Sequence, residues 1–433
     1  METITNFVQE FLSIGAVSML PIFITIMGLV FGIKFFKALK NGLLVGIGFQ
    51  GITLVITFLM TTLTPVLQFF GSSGSEATNF SIVDVGWASL AGAAWAFPLA
   101  AIVLPLGFLL NFFLIRIKAT KTLNVDVWNY WHFIFSGAMV YYILVQAGAS
   151  TAVAGGVALV VALFCSYLAC WIGDKIAPAW QKQFGLEGTT CTTIYYTTTY
   201  VPINWLVNKL LNLIPGIDKI DIDPKTIQNK LGPIGEPAII GLFVGLLMAI
   251  ISRQPFVSVI QIGVSVAVAI VLLPRMVSLL MEGMSPISVA AQEFMAKRIG
   301  DDREIFIGMD VALGIGDPTA ITASLLLIPI TVGLAFVLPG NHFFPTATLG
   351  AIIYITAIGA MSSGGKLLRT LIMGVAFIIY HLYALNFLAP ICTLVMNGSG
   401  VVNVAEGTQT AAFALESTVN LLIGAIAKLF GAG

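Results

Sequence analysis

Apolar runs long enough to cross a bilayer, joined by short links that gather most of the charge, recur along this 433-residue chain. Hydrocarbon offers no water to a free N–H or C=O, so the backbone at that depth must satisfy itself. A run of about twenty apolar residues does so as a helix rising 1.5 Å per residue. Hydrophobic residues make up 58% of the chain and charged residues 9%, against about a quarter charged in soluble domains. The chain is therefore read as an all-α polytopic membrane protein. The N-terminus carries Glu2 early and lacks a basic region and a small-residue cleavage site. It is expected to be a retained first segment and not a removed signal peptide.

Spans are expected near 11–33, 42–70, 87–115, 131–148, 151–172, 234–252, 256–274, 319–338, 346–361 and 370–391, with a further apolar stretch at 411–430. Basic links follow every second span in the first half: Lys34, Lys37 and Lys40, then Arg116, Lys118 and Lys121, then Lys175 and Lys182. Basic loops face the cytoplasm, which puts the N-terminus outside. The most polar segment, 218–231, marks the mid-point boundary. Beyond it, 275–303 mixes both charge signs with bulky apolar residues, as interfacial helices do. This link is basic (Arg275, Lys297, Arg298, Arg303), whereas its counterpart 71–83 has no basic residue. Such a swap between two halves of similar outline is what an inverted-topology repeat predicts.

Four stretches depart from the apolar pattern. GLEGTTCTTIYYTTTY, Gly185 to Tyr200, holds seven threonines and the carboxylate of Glu187 between Gly185 and Gly188. Polar backbone at membrane depth belongs where protein buries it or a cavity is lined, and a carboxylate there is a candidate for function. In MDVALGIGDPTAITASLLLIPI, Met309 to Ile330, Asp317 and Pro318 stand at an expected helix start. Asp317 either caps that helix or accepts hydrogen bonds from a ligand's hydroxyls. DVWNYWHFIFSGAMVYY, Asp126 to Tyr142, surrounds His132 with Trp128, Tyr130 and Trp131. An interfacial aromatic belt accounts for the tryptophans; a ligand-facing role accounts for Asn129 and His132 within the span. GAMSSGGKLLRT, Gly359 to Thr370, is either a cytoplasmic turn or a second hairpin opposite the Glu187 stretch.

Other chemistries lack their signatures. The chain has no GxxxxGK[ST] phosphate loop, no HExxH, no cysteine cluster and no stripe of spaced arginines. Cys165, Cys170, Cys191 and Cys392 follow no zinc or redox spacing and are expected as small core residues. No metal, cofactor or nucleic-acid partner is expected.

Through GLEGTTCTTIYY, GIGDPTAIT, WNYWHF and the SSGG break, in that family's spacing, the chain resembles the enzyme IIC permeases of bacterial sugar phosphotransferase systems. The likeness is to the galactitol-specific branch, related to the ascorbate permeases, and it covers essentially the whole chain. It implies about 11 spans in two inverted repeats, each with a V-shaped helix pair and a core domain carrying a re-entrant hairpin, assembled as a homodimer in the inner membrane. By this resemblance 1–217 is the first repeat (V-motif 11–70, core 84–217, hairpin near 185–200) and 218–231 the linker. The second is 232–433 (V-motif 234–274, link 275–303, core 305–433, hairpin near 361–366).

The resemblance also implies a polyol site between the hairpins. Glu187, Gly188, Thr189 and Thr190 would meet it from one side, and Ser362, Ser363 and Gly364 from the other. Trp87, Ser89, His132 and Asp317 complete the expected set, Trp87 and Ser89 resting on the resemblance alone. The phosphoryl group would come from a phosphocysteine on a separate IIB protein, supplied in turn by IIA, since no soluble domain of that size is appended. Glu187 and Asp317 are the candidate bases for the attacking hydroxyl. The alternative is a proton- or sodium-coupled secondary transporter using the same two carboxylates.

Overall fold

The computed structural model describes residues 16–75, 80–126, 129–217, 236–299, 304–401 and 407–429. The expected linker 218–231, the first fifteen residues, Trp128 and Arg303 lie outside them. The described chain is mostly helical.

A short first helix, α1 (Ala16–Val30), leads into α2 (Phe35–Ser75), and in the second half α8 (Pro237–Ile251) leads likewise into α9 (Phe256–Ile299). These four pack together, α2 against both α1 and α9, and α9 against α8. Close approach of α2 and α9 depends on glycine. A Cβ on Gly48 would fall 2.6 Å from the Leu280 backbone nitrogen, and one on Gly283 would fall 2.5 Å from the Asn41 carbonyl oxygen. Small residues let helices in lipid approach until their backbones touch. At 41 and 44 residues, α2 and α9 run about 60 Å or more, twice the hydrocarbon thickness. The expected span 256–274 and residues 275–299 of the expected link are thus one continuous helix, which carries Arg275 and Lys297 on its turns.

Between these pairs the chain forms α3 (Trp87–Ala96), α4 (Ala100–Arg116), α5 (Tyr130–Gln146), α6 (Thr151–Phe184) and α7 (Ile194–Leu211). The single span expected at 87–115 is broken: α3 and α4 meet at 91°. Phe97, directly before Pro98, is extended at ψ 130°, because proline excludes helical backbone from the residue ahead of it. Helix α6 starts on a Ser150 cap and stops at left-handed Gly185. It runs past the expected end at 172, so the Asp174–Lys182 segment is helix and not loop. The second half continues with α10 (Pro318–Val337), α11 (Ile352–Ser363), α12 (Leu367–Ser399) and α13 (Thr418–Leu429). Among the described residues, five helices (α2, α6, α9, α10 and α12) are long and apolar enough to cross a membrane, or six spans if the bent pair α3–α4 counts as one. Other expected spans fall on shorter helices, such as α5 with 17 residues and α11 with 12.

Among the described residues, five short strands interrupt the helices: β1 (Ile82–Asp84), β2 (Thr122–Asn124), β3 (Thr189–Cys191), β4 (Phe306–Met309) and β5 (Gln409–Ala411). All pairings are parallel and most join distant parts of the chain. β4 lies between β2 and β3, with Leu123 and Thr189 both opposite Ile307. β1 pairs with β5, Val83 opposite Thr410, and Ile82 also bridges Phe343. Each short sheet so takes a strand of one half into the other, and the interrupted backbone finds its partners inside the protein, as apolar surroundings require. β2, β3 and β4 are buried throughout.

Gly283→Leu is expected to force α2 and α9 apart, at roughly 1–3 kcal/mol, and to lower the thermal midpoint in detergent. Gly156→Leu, whose position has open space around it, should leave that midpoint close to the parent's.

Candidate functional site

A cavity of about 390 Å³, its open mouth included, lies just past the C-terminal ends of all five strands. Trp87 enters it after β1, and Asn129, Trp131 and His132 after β2. Thr193 and Tyr196 follow β3, Asp310 and Val311 follow β4, and Phe413 and Ala414 follow β5; Tyr354 of α11 completes the lining. The strands hold these residues because each ladder ends where a new helix or turn starts. Trp87, 37% exposed, opens α3 beside left-handed Gly86. Helices α3, α5 and α7 all begin at the cavity, so their positive ends face it.

One wall is polar and tightly tied. The Thr193 hydroxyl accepts from Asn129 Nδ2 at 3.3 Å and from the Val311 amide at 3.1 Å, and donates to Asp310 Oδ1 at 3.5 Å. Asp310 Oδ1 also accepts from the Ala312 amide at 3.0 Å, starting the 3-10 turn Val311–Gly314. Behind Asn129, Asp126 takes its side-chain amide at 2.5 Å and its backbone amide at 3.3 Å. Burial raises both Asp126 and Asp310 above the ordinary carboxylate range, and the charge of Asp310 adds to the rise at Asp126. The rest of the lining is largely aromatic. His132 stacks on Trp131 at 3.7 Å, and Tyr196 lies 6.0 Å from Phe413 and 6.1 Å from Tyr354. Flat apolar faces together with a carboxylate, an amide and a hydroxyl form a lining suited to a small polyhydroxylated molecule, whose C–H and O–H groups both need contacts.

Of the residues expected from sequence, Trp87 and His132 line this cavity. Ser89 sits two residues further along α3 and donates to the Val85 carbonyl at 2.7 Å. Asp317 caps α10, accepting from the Ala320 amide at 3.0 Å and from Gln183 Nε2 at 2.8 Å. It belongs to a separate polar junction in which Thr319 donates to the Gly365 carbonyl at 2.9 Å. Ser362 is held there by Asn204 at 3.2 Å and Ser363 pairs with Thr370 at 2.9 Å, with Gly364 left-handed at φ 70°. Thus Asp317 and the Ser362–Gly365 turn do come together, through Gln183 and Thr319.

The threonines after Glu187 are buried and engaged. Thr189 accepts from Trp180 Nε1 at 3.0 Å, and Thr190 donates to the Gly173 carbonyl at 2.6 Å. Gly188 turns at φ 71°, while Glu187 is exposed and outside the cavity lining. Asp310 shares the Met309–Ile330 stretch with Asp317 but lacks the Asp-Pro helix-start signal that marks Asp317 in the sequence. Tyr354, Phe413 and Ala414 carry no local signal, since strand pairing across the chain brings them here. All four cysteines are free and buried.

Comparison with known proteins gives consistent relatives. Residues 10–407 match the model of the PTS system sugar-specific permease component. The chain is 33% identical over 365 residues to the PTS system galactitol-specific EIIC component of Escherichia coli (strain K12), covering 84% of this chain and 78% of that protein. The same component of Escherichia coli O157:H7 matches to the same extent. A further K12 protein, provisionally named a permease IIC component, is 33% identical over 422 residues, 98% of this chain and 93% of its own length.

Thr193→Val keeps the side-chain shape but removes the hydroxyl at the centre of the polar wall. It should cost roughly 1–3 kcal/mol, seen as a lower thermal midpoint in detergent, whereas Glu187→Gln should leave the midpoint unchanged.

Proposed function

The chain belongs to the family of PTS system sugar-specific permease components, and from that premise we propose that it carries a polyol, galactitol, across the bacterial inner membrane. Transport is coupled to phosphorylation by a separate IIB protein, recharged by IIA. The observation that carries the reading is the cavity in which the Trp87 and Trp131 rings meet Asp310, Asn129 and Thr193. A hexitol has an apolar edge for the rings and hydroxyls for the carboxylate and amide. The galactitol-specific relative supplies the choice among polyols.

In this mechanism the substrate enters among the strand ends with a hydroxyl against Asp310. As that hydroxyl oxygen bonds to phosphorus of the IIB phosphocysteine, the sulfur–phosphorus bond breaks and the thiolate leaves with IIB. A carboxylate in hydrogen-bond reach takes the hydroxyl proton. Asp310 is the carboxylate that lines the cavity, whereas Asp317 lies in the separate junction with Gln183. The scaffold would be the packed α1–α2 and α8–α9 pairs, against which the strand-linked core moves as a near-rigid body. Two inverted repeats of about eleven spans in all, a homodimer joined through those pairs, and an outside N-terminus complete the proposal. It is supported by the similar helix order of the two halves and by the exchange of strands between them.

Vesicles holding the protein should accumulate labelled galactitol phosphate only when phosphorylated IIB is supplied. Accumulation of unmodified galactitol under a proton or sodium gradient, without IIB, would overturn the coupled mechanism. Asp310→Asn and Trp87→Ala should each weaken galactitol binding roughly ten- to hundredfold, the worth of a charge-assisted hydrogen bond or a stacked face. Equilibrium binding to the purified variants measures both.

A further inference from the structure

Behind the aromatic wall lies a group of ionisable side chains that the transport reading leaves unused. Glu416 and His381 are both fully buried, 0% exposed, and touch each other through Glu416 Oε1 and His381 Nδ1. Tyr195 donates its hydroxyl to the same carboxylate oxygen. Tyr200 extends the chain, its hydroxyl 2.9 Å from that of Tyr195. Tyr380 donates to the Glu416 carbonyl at 2.6 Å. The second Glu416 oxygen and His381 Nε2 have no hydrogen-bond partner among the described residues. Packing alone does not call for such a group, because a buried carboxylate with incomplete partners is costly relative to apolar residues of similar volume.

Its position relates it to the cavity. Glu416 lies two residues beyond Ala414, which lines the cavity with a left-handed backbone at φ 79°. A residue with a Cβ holds that conformation only when its surroundings impose it. Tyr195 does not line the cavity but touches rings that do: Phe413 at 5.4 Å, Tyr196 at 4.8 Å, and His132 at 6.1 Å with the ring planes 6° apart. Glu416 therefore joins three pieces of chain: α12 through His381, the start of α7 through Tyr195, and the turn bearing Phe413 and Ala414.

We propose that Glu416 is a positioning residue for the substrate cavity, fastening the Phe413–Ala414 wall to α7 and α12 through Tyr195 and His381 and so setting the width of the aromatic side. It touches no substrate itself. The proposal rests on the reading of this cavity as the polyol site. It adds that the affinity for a polyol depends on a carboxylate the polyol never meets.

The test uses the full chain with Ala414→Cys, since the four natural cysteines are buried. Maleimide labelling of the introduced thiol is timed in membranes, with and without galactitol, in the otherwise unchanged chain and with Glu416→Gln added. With Glu416 intact, labelling should be slow and galactitol should protect. With Glu416→Gln, labelling should speed up roughly tenfold and half-protection should need roughly tenfold more galactitol, the scale of one charged hydrogen bond lost. A labelling rate within twofold of the parent would overturn the proposal, even if the thermal midpoint fell, because that pattern marks an ordinary packing residue. Should Glu416→Gln fail to accumulate, Tyr195→Phe, which removes one hydroxyl from the group, is judged by the same rates. If galactitol gives no protection even with Glu416 present, the cavity reading fails, and the labelling rate alone decides the role of Glu416.

Discussion

Backbone that leaves a helix inside an apolar body must find its hydrogen bonds within the protein, and this requirement organises the structure. Each of the five strand segments is only three or four residues long and would be unstable alone. Parallel pairing across the chain satisfies them together: β4 of the second half serves both β2 and β3 of the first, and β1 of the first serves β5 and Phe343 of the second. Side chains reinforce these junctions. Asn111 donates to the Thr122 carbonyl and accepts from the Asn124 amide, and Asp174 accepts from Thr120, Lys121 and Thr122. The cavity follows from this pairing, because parallel strands end on the same side and each hands its next residues to one place.

That geometry explains what the sequence discloses. Apolar runs and their basic links disclose the helical membrane class, since hydropathy and charge are local quantities. Asp317 and Pro318 disclose the start of α10, because a cap and a proline act within one turn. His132 and Trp87 line the cavity, one marked in the sequence by its unusual neighbours and the other by family resemblance. Pairing between segments more than a hundred residues apart has no comparable local signature. Asp310, Tyr354 and Phe413 therefore look unremarkable in sequence and become neighbours only through the ladder of β4 and the course of β5. Glu187 shows the reverse: its flanking glycines and threonines mark it strongly, but they serve the turn out of α6 and the bonds of Thr189 and Thr190, while its own carboxylate faces outward.

Chemically, the protein separates two polar regions that its sequence places close together. The Asp317 junction, with Gln183, Thr319 and the Ser362–Gly365 turn, has its donors and acceptors matched among themselves. The cavity keeps Asp310 partly exposed, in a lining that it shares with aromatic side chains. Matched groups hold structure; a carboxylate left facing a cavity is available to a ligand. The account therefore rests on which of the two regions a polyol occupies.

A structure of the protein with galactitol bound tests this most directly. The account predicts a polyol lying on Trp87 and Trp131 with a hydroxyl within hydrogen-bond distance of Asp310. A polyol found instead against Asp317, Gln183 and the Ser362–Gly365 turn, with the aromatic cavity empty, would contradict it.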